Sequence, residues 1–116
     1  MARPSEDVTA RYAQKSDYEW LCEHDAQYVD SEWTQRCIDL KEYIVAETTK
    51  IPGDLKGYLR FSLFRGKIPY LNMIRVFEGN QLQGIGSALV RFWEDQMRER
   101  GHTFLMTSFE RDKQAA

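Results

Sequence analysis

Along this chain, stretches of alternating apolar residues give way to stretches of helical period, and the switches between them set out the elements. Val8 to Ala13 alternates weakly and reads as a first strand, with Gln14, Lys15 and Ser16 as a polar connector. Ser16-Asp17-Tyr18-Glu19 has the form of a capping box, in which a serine hydroxyl satisfies an orphan amide and the glutamate reaches back to the cap. A helix is predicted from there, with Trp20, Leu21 and His24 on one face. A second helix is predicted from Ser31 to Lys41, packing by a stripe of Trp33, Cys37 and Leu40.

Tyr43 to Ala46 is a short β-prone run, and Ile51-Pro52-Gly53-Asp54 after it carries turn chemistry. Leu55 to Phe64 alternates, with Leu59, Phe61 and Leu63 on one face and Tyr58, Arg60 and Ser62 on the other, so two antiparallel strands are predicted here. Beyond a turn at Arg65-Gly66-Lys67, Tyr70 to Val76 is mostly apolar and reads as a central strand. Ile85, Leu89, Phe92, Trp93 and Met97 then hold a helical period from Ile85 to Arg100, and Gly101 stops it as a C′ residue would. Thr103 to Ser108 is a last strand, and Glu110 to Ala116 starts a further helix. The predicted order is β-α-α-β-β-β-α-β, an α/β domain built round one mixed sheet.

At 116 residues the chain is long enough for one core, so residues 1–116 are read as a single domain. Its 42% apolar and 13% aromatic content suits a packed globular protein. A net charge of -2, with both signs interspersed, leaves no electrostatic footprint for nucleic acid or an anionic membrane. No run is long enough to span a bilayer, the polar N-terminus has no secretory apolar region, and the expected compartment is the cytoplasm. Cys22 and Cys37 form no CxxC pair and read as thiols packed within helices.

The segment that carries chemistry is Gln81-Leu82-Gln83-Gly84-Ile85-Gly86-Ser87, between a predicted strand and a predicted helix. Orphan amides and the positive end of the helix dipole favour an anion there, and glycines at 84 and 86 allow pyrophosphate oxygens to approach the backbone. An isolated Gly-x-Gly is also an ordinary tight turn. A dinucleotide fingerprint needs a third glycine where the chain has Leu89, and a Walker loop needs Gly-Lys-Ser/Thr, which is absent.

The stretch Ile74-Arg75-Val76-Phe77-Glu78-Gly79-Asn80-Gln81-Leu82-Gln83-Gly84-Ile85-Gly86-Ser87-Ala88-Leu89 resembles motif A of the GNAT acetyltransferases, Gln/Arg-x-x-Gly-x-Gly/Ala, with a hydrophobic strand ahead and a helix behind. The resemblance extends more weakly over the whole chain, including Asn72-Met73-Ile74-Arg75-Val76 and Met106-Thr107-Ser108. It implies the GNAT fold and an N-acetyltransferase that moves the acetyl group of acetyl-CoA to a primary amine. By the same resemblance, backbone groups of Ile74, Arg75 and Val76 would pair with the pantetheine arm. Gln81 fills the Arg/Gln position, and the amides of Leu82, Gln83, Gly84, Ile85, Gly86 and Ser87 would cradle the pyrophosphate. The strands on either side of the arm would splay apart, with the thioester near Ile74 and Arg75.

The departures are specific. Where several members of the family place a glutamate base, this chain has Tyr70, which also suits a core position. Glu78, His24 and His102 are further candidate bases acting through water, none with a partner visible in the sequence. Asp25, Asp30 and Glu32 border the region expected to receive a cationic acceptor. Asp112-Lys113-Gln114-Ala115 resembles the start of the family's last helix, so most of that helix, its usual tyrosine acid and two final strands are expected to be missing. An exposed last strand would then suit pairing with a second copy in a homodimer. An alternative reading is a catalytically silent domain that binds CoA or a partner protein, and a third is a structural module with a coincidental glycine turn.

Overall fold

The computed structural model describes residues 8–77, 82–103 and 105–107. Its elements are β1 (Val8–Tyr12), α1 (Tyr18–Asp25), α2 (Ser31–Asp39), β2 (Tyr43–Thr48), β3 (Leu55–Phe64), β4 (Ile68–Val76), α3 (Leu82–Glu99) and β5 (Met106–Thr107). The five strands lie in the order β1-β2-β3-β4-β5; β1 to β4 pair antiparallel and β5 joins parallel to β4. This is the mixed α/β architecture that the pattern of the chain predicts.

Strand alternation divides the core in two. Val8, Ile44, Ala46, Leu59, Phe61 and Leu71 point to one face, where α3 covers them with Ile85, Leu89, Trp93 and Met97. Tyr43, Val45, Leu55 and Tyr58 point to the other, beneath Leu21 of α1 and Cys37 and Ile38 of α2. The sheet is therefore sandwiched, and each helix lies over it by one apolar stripe.

The hairpin between β3 and β4 turns on Arg65 and Gly66, both at positive φ, which is the type I′ geometry that matches the twist of the flanking strands. Gly101, at φ 95°, ends α3 in a Schellman motif: its amide bonds the Arg98 carbonyl and the His102 amide bonds the Met97 carbonyl.

Several predicted details are corrected. The capping box at Ser16 and Glu19 does not form; Lys15–Asp17 is a 3₁₀ turn, and the cap is the Asp17 carboxylate, which accepts the Gln14 amide at 2.7 Å. Arg11 grips the same carboxylate through both terminal nitrogens, at 2.8 and 3.1 Å, so a buried aspartate supplies what an exposed serine was expected to supply. On α2 the packed residues are Thr34, Cys37 and Ile38, while Trp33 and Leu40 are exposed. Asp30 caps that helix through the Trp33 amide at 2.9 Å, which turns the indole outward, where the Arg36 guanidinium lies over it. Helix α3 starts at Leu82 rather than Ile85; of the predicted last strand Thr103 to Ser108, Met106 and Thr107 form β5, Thr103 and Leu105 lie outside it, and Phe104 and Ser108 fall outside the described residues.

Candidate functional site

Strand β4 carries one residue more than β3 opposite it. Arg60 pairs with Met73 and Phe61 with Leu71, which leaves Asn72 as the extra residue of a β-bulge. Its side chain lies against Ser62, with oxygen to oxygen at 3.0 Å. β5 pairs with β4 only at Tyr70 and Leu71, just before the bulge. Beyond it, from Ile74 to Val76, no strand among the described residues covers the β4 edge that faces β5. A bulge bends a strand and raises its local twist, so β4 changes course at Asn72.

This stretch of β4 borders a cleft of about 430 Å³ lined by Ile74 on one side and by Gly86, Ser87, Val90, Arg91 and Glu94 on the other. The sequence pointed to Ile74, Gly86 and Ser87; the remaining three lie one and two turns further along the same face of α3, so helical spacing from Gly86 and Ser87 finds them. The Leu82, Gln83 and Gly84 amides occupy the first turn of α3, N-terminal to the residues that line the cleft, where no carbonyl four residues earlier belongs to the helix. The amides of Gly86 and Ser87 come a turn later, at positions that the helix ladder uses. Gln81 and Glu78 lie outside the described residues.

Gly86 is informative. A Cβ built on it would meet only the Val76 Cγ2, at 4.0 Å, so packing does not require glycine there. Glycine within a helix costs about 1 kcal/mol relative to alanine, so this residue is dear to the fold and its use must be local space. Gly57, which the sequence reading did not single out, is different: its Cβ would lie 2.7 Å from the Arg75 carbonyl oxygen and 3.2 Å from Ile85 Cγ2. It allows β4 and the start of α3 to close over β3.

The predicted strand residues divide by face. Ile74 and Val76 pack toward α3, whereas Arg75 reaches the opposite face and donates to the His24 carbonyl at 2.6 Å, with its guanidinium over Phe77 and Tyr28. Tyr70 is half-buried where β4 and β5 are still paired, its ring 6.4 Å from that of Phe64. His102 belongs to the C-terminal cap of α3, about 27 Å from the N-terminus of that 18-residue helix at ~1.5 Å per residue.

Asp25 faces the sheet and not the solvent. It is fully buried, and accepts from the Tyr43 hydroxyl, the Tyr58 hydroxyl at 2.7 Å and Arg60 Nε at 2.8 Å, so it is not an open anion for a cationic acceptor. Burial, with the bond to Asp25, raises both tyrosines above the ordinary phenol range. Burial opposes the Arg60 charge, but the bond to Asp25 and its field outweigh it and leave the guanidinium raised. Asp30 and Glu32 are exposed on the α1–α2 side.

An open strand edge running toward a helix N-terminus is a cleft for an extended ligand that ends in an anion. A family model described as the acetyltransferase (GNAT) family matches residues 8–116. The chain belongs to that family, and is by membership an N-acetyltransferase.

Solved structures agree on the fold. An aminoglycoside acetyltransferase from an uncultured soil metagenomic sample, in complex with sisomicin, superposes with a TM-score of 0.67 at 16% identity, over 90% of this chain and 79% of that one. A ribosomal-protein-alanine N-acetyltransferase from Brucella melitensis biovar Abortus 2308 gives 0.64 at 18%, over 90% and 81%. N-acetylglutamate synthase from Neisseria gonorrhoeae, complexed with coenzyme A and N-acetyl-glutamate, gives 0.67 at 20%, over 83% of this chain and 24% of that one. A sequence search of curated proteins finds no match. No helix among the described residues is long and apolar enough to cross a membrane.

Proposed function

We propose that the protein transfers an acetyl group from acetyl-CoA to a primary amine by direct attack of the amine on the thioester. The observation that carries this reading is the cleft between Ile74 of β4 and the face of α3 that holds Gly86 and Ser87, beside a stretch of β4 that no described strand covers on its β5 side. The uncovered backbone from Ile74 to Val76 can hydrogen-bond the amides of a pantetheine arm as a missing strand would. The first-turn amides of Leu82, Gln83 and Gly84 then meet the pyrophosphate, with Gln81 in the Arg/Gln position of the motif. Gly86 and Ser87 form the wall along which the phosphates pass, with the Ile85 side chain buried beneath, and the space left at Gly86 admits them.

In this arrangement the thioester lies near Ile74 and Arg75. A backbone amide of β4 aimed at its carbonyl stabilises the oxyanion as the amine adds. The ammonium gives up one proton before attack; the tetrahedral intermediate then collapses with loss of CoA as the thiolate, which takes up the second proton released by the nitrogen, and the new amide keeps one. The structural neighbours bear names for chemically different acceptors, which leaves the acceptor here as a primary amine.

Release of free CoA thiol, followed in the presence and absence of a set of primary amines, tests the reading. Amine-dependent release with matching acetylated product is expected. A folded protein that releases no thiol with any amine contradicts it.

A further inference from the structure

We propose that His24 is the general base that accepts the proton of the attacking amine, a role that rests on the acetyl-transfer reading above. His24 lies in the last turn of α1, half-buried, with its ring stacked on Trp20 at 4.2 Å. Its Nδ1 lies 2.8 Å from the Trp20 carbonyl oxygen. A carbonyl only accepts, so Nδ1 carries the hydrogen, and the neutral ring presents its lone pair on Nε2. This is the tautomer a base requires, fixed by the helix on which the residue sits.

The position of the ring is fixed from β4. Arg75 holds the His24 carbonyl at 2.6 Å, and the imidazole centroid is 4.8 Å from that of Phe77, the residue after the strand. Two contacts thus tie His24 to the stretch of β4 that would carry the thioester. Trp20 and Arg75 are positioning residues in this account: one sets the tautomer and the other the location.

Four other ionisable groups of α1, β3 and β4 are unsuited to the task. Arg75 from β4 is a cation and cannot accept a proton. Asp25, the neighbour of His24 on α1, is buried and bonded to Tyr43, Tyr58 and Arg60. Tyr58 from β3 donates its hydroxyl to Asp25. Tyr70 lies on the far side of the bulge, where β4 and β5 remain paired.

In the step, an alkylammonium gives one proton to Nε2, directly or through a single water, and the freed lone pair attacks the thioester carbonyl. A carbon–nitrogen bond forms, the carbon–sulfur bond breaks, the electron pair leaves with the CoA thiolate, and the second proton of the attacking nitrogen passes to that thiolate to give the CoA thiol. The imidazolium then returns its proton to solvent.

The test uses the full chain, acetyl-CoA and the ε-amine of α-N-acetyl-lysine. His24→Gln and His24→Ala are each expected to lose on the order of 100-fold in kcat, the scale of general-base catalysis, while acetyl-CoA affinity measured by calorimetry holds within threefold. Added imidazole is expected to restore at least about tenfold of the rate of His24→Ala, whose side-chain space is open, and not of His24→Gln. Retention of kcat within threefold in the glutamine variant overturns the proposal. So does a folded His24→Ala that binds acetyl-CoA and gains nothing from imidazole, or a wild type that binds acetyl-CoA and transfers nothing to this amine. A wild type that fails to bind acetyl-CoA overturns the acetyl-transfer reading itself, which separates the two failures.

Discussion

Two residues illustrate how a side chain, or its absence, reports on use. At Gly86 the fold has room for a methyl group and would gain from one. Gly86→Ala is therefore expected to raise the unfolding free energy by about 0.5–1 kcal/mol in urea titration, and at the same time to weaken acetyl-CoA binding at least about tenfold. A gain in stability with unchanged affinity would show that no ligand approaches this backbone. Asp25 presents the opposite situation, since removal of the carboxylate strands two buried hydroxyls and the Arg60 guanidinium. Asp25→Ala is expected to cost about 3–5 kcal/mol, the scale for breaking one side of a buried ion pair. Tyr58→Phe, which leaves one carboxylate oxygen without its donor, should cost about 1–3 kcal/mol by the same urea titration.

Between elements, the contact that shapes the site is the closure of β4 and α3 over Gly57. A methyl group there meets backbone rather than the end of a flexible chain, so Gly57→Ala is expected to destabilise by about 1–3 kcal/mol and to lower acetyl-CoA affinity through the displaced strand. Affinity left intact would mean that β4 is not the cofactor strand. This scale is also where the sequence was most and least legible. Gly101 announced its cap, and the alternation of Leu59 and Phe61 against Tyr58 and Arg60 sorted the faces of β3, because both signals are local. The start of α3 was misread by three residues, since glycines at 84 and 86 argue locally for a loop. Packing of Ile85 into the core outweighs that propensity. On α2 a stripe of nine residues tolerates rotation by one position, and the exposed Trp33 finds Arg36 instead of the sheet. The partners of Asp25 lie 18, 33 and 35 residues away, beyond any local pattern.

The whole molecule should be sensitive to alkali. Tyr43 and Tyr58 are raised by burial and by Asp25, and burial pushes the Cys37 thiol up to about 11. Groups raised in the folded state lend stability that is complete below their unfolded values, about 8.5 for the thiol and 10 for the phenols, and is lost as pH rises toward the folded ones. Urea midpoints are thus expected to fall steadily above about pH 8.5, with a smaller loss in Tyr58→Phe because one raised group is gone. A midpoint that stays level to about pH 11 would mean that these groups are not protected by the core. The same two-sided core sets up the candidate site, because α3 on one face and α1 on the other bring the α3 N-terminal half and His24 to a single strand.

The central claim is that the β4 stretch from Ile74 to Val76 and the α3 N-terminus bind acetyl-CoA. It is tested most directly by calorimetric titration of acetyl-CoA into the wild type and into a Gly84→Asp, Gly86→Asp double variant. Acidic residues near the start of a helix suit its dipole, so the double variant should stay folded while its carboxylates repel the pyrophosphate. Saturable heat in the wild type that disappears in the folded variant is the expected result; no heat in a folded wild type, or equal affinity in both, would contradict the account.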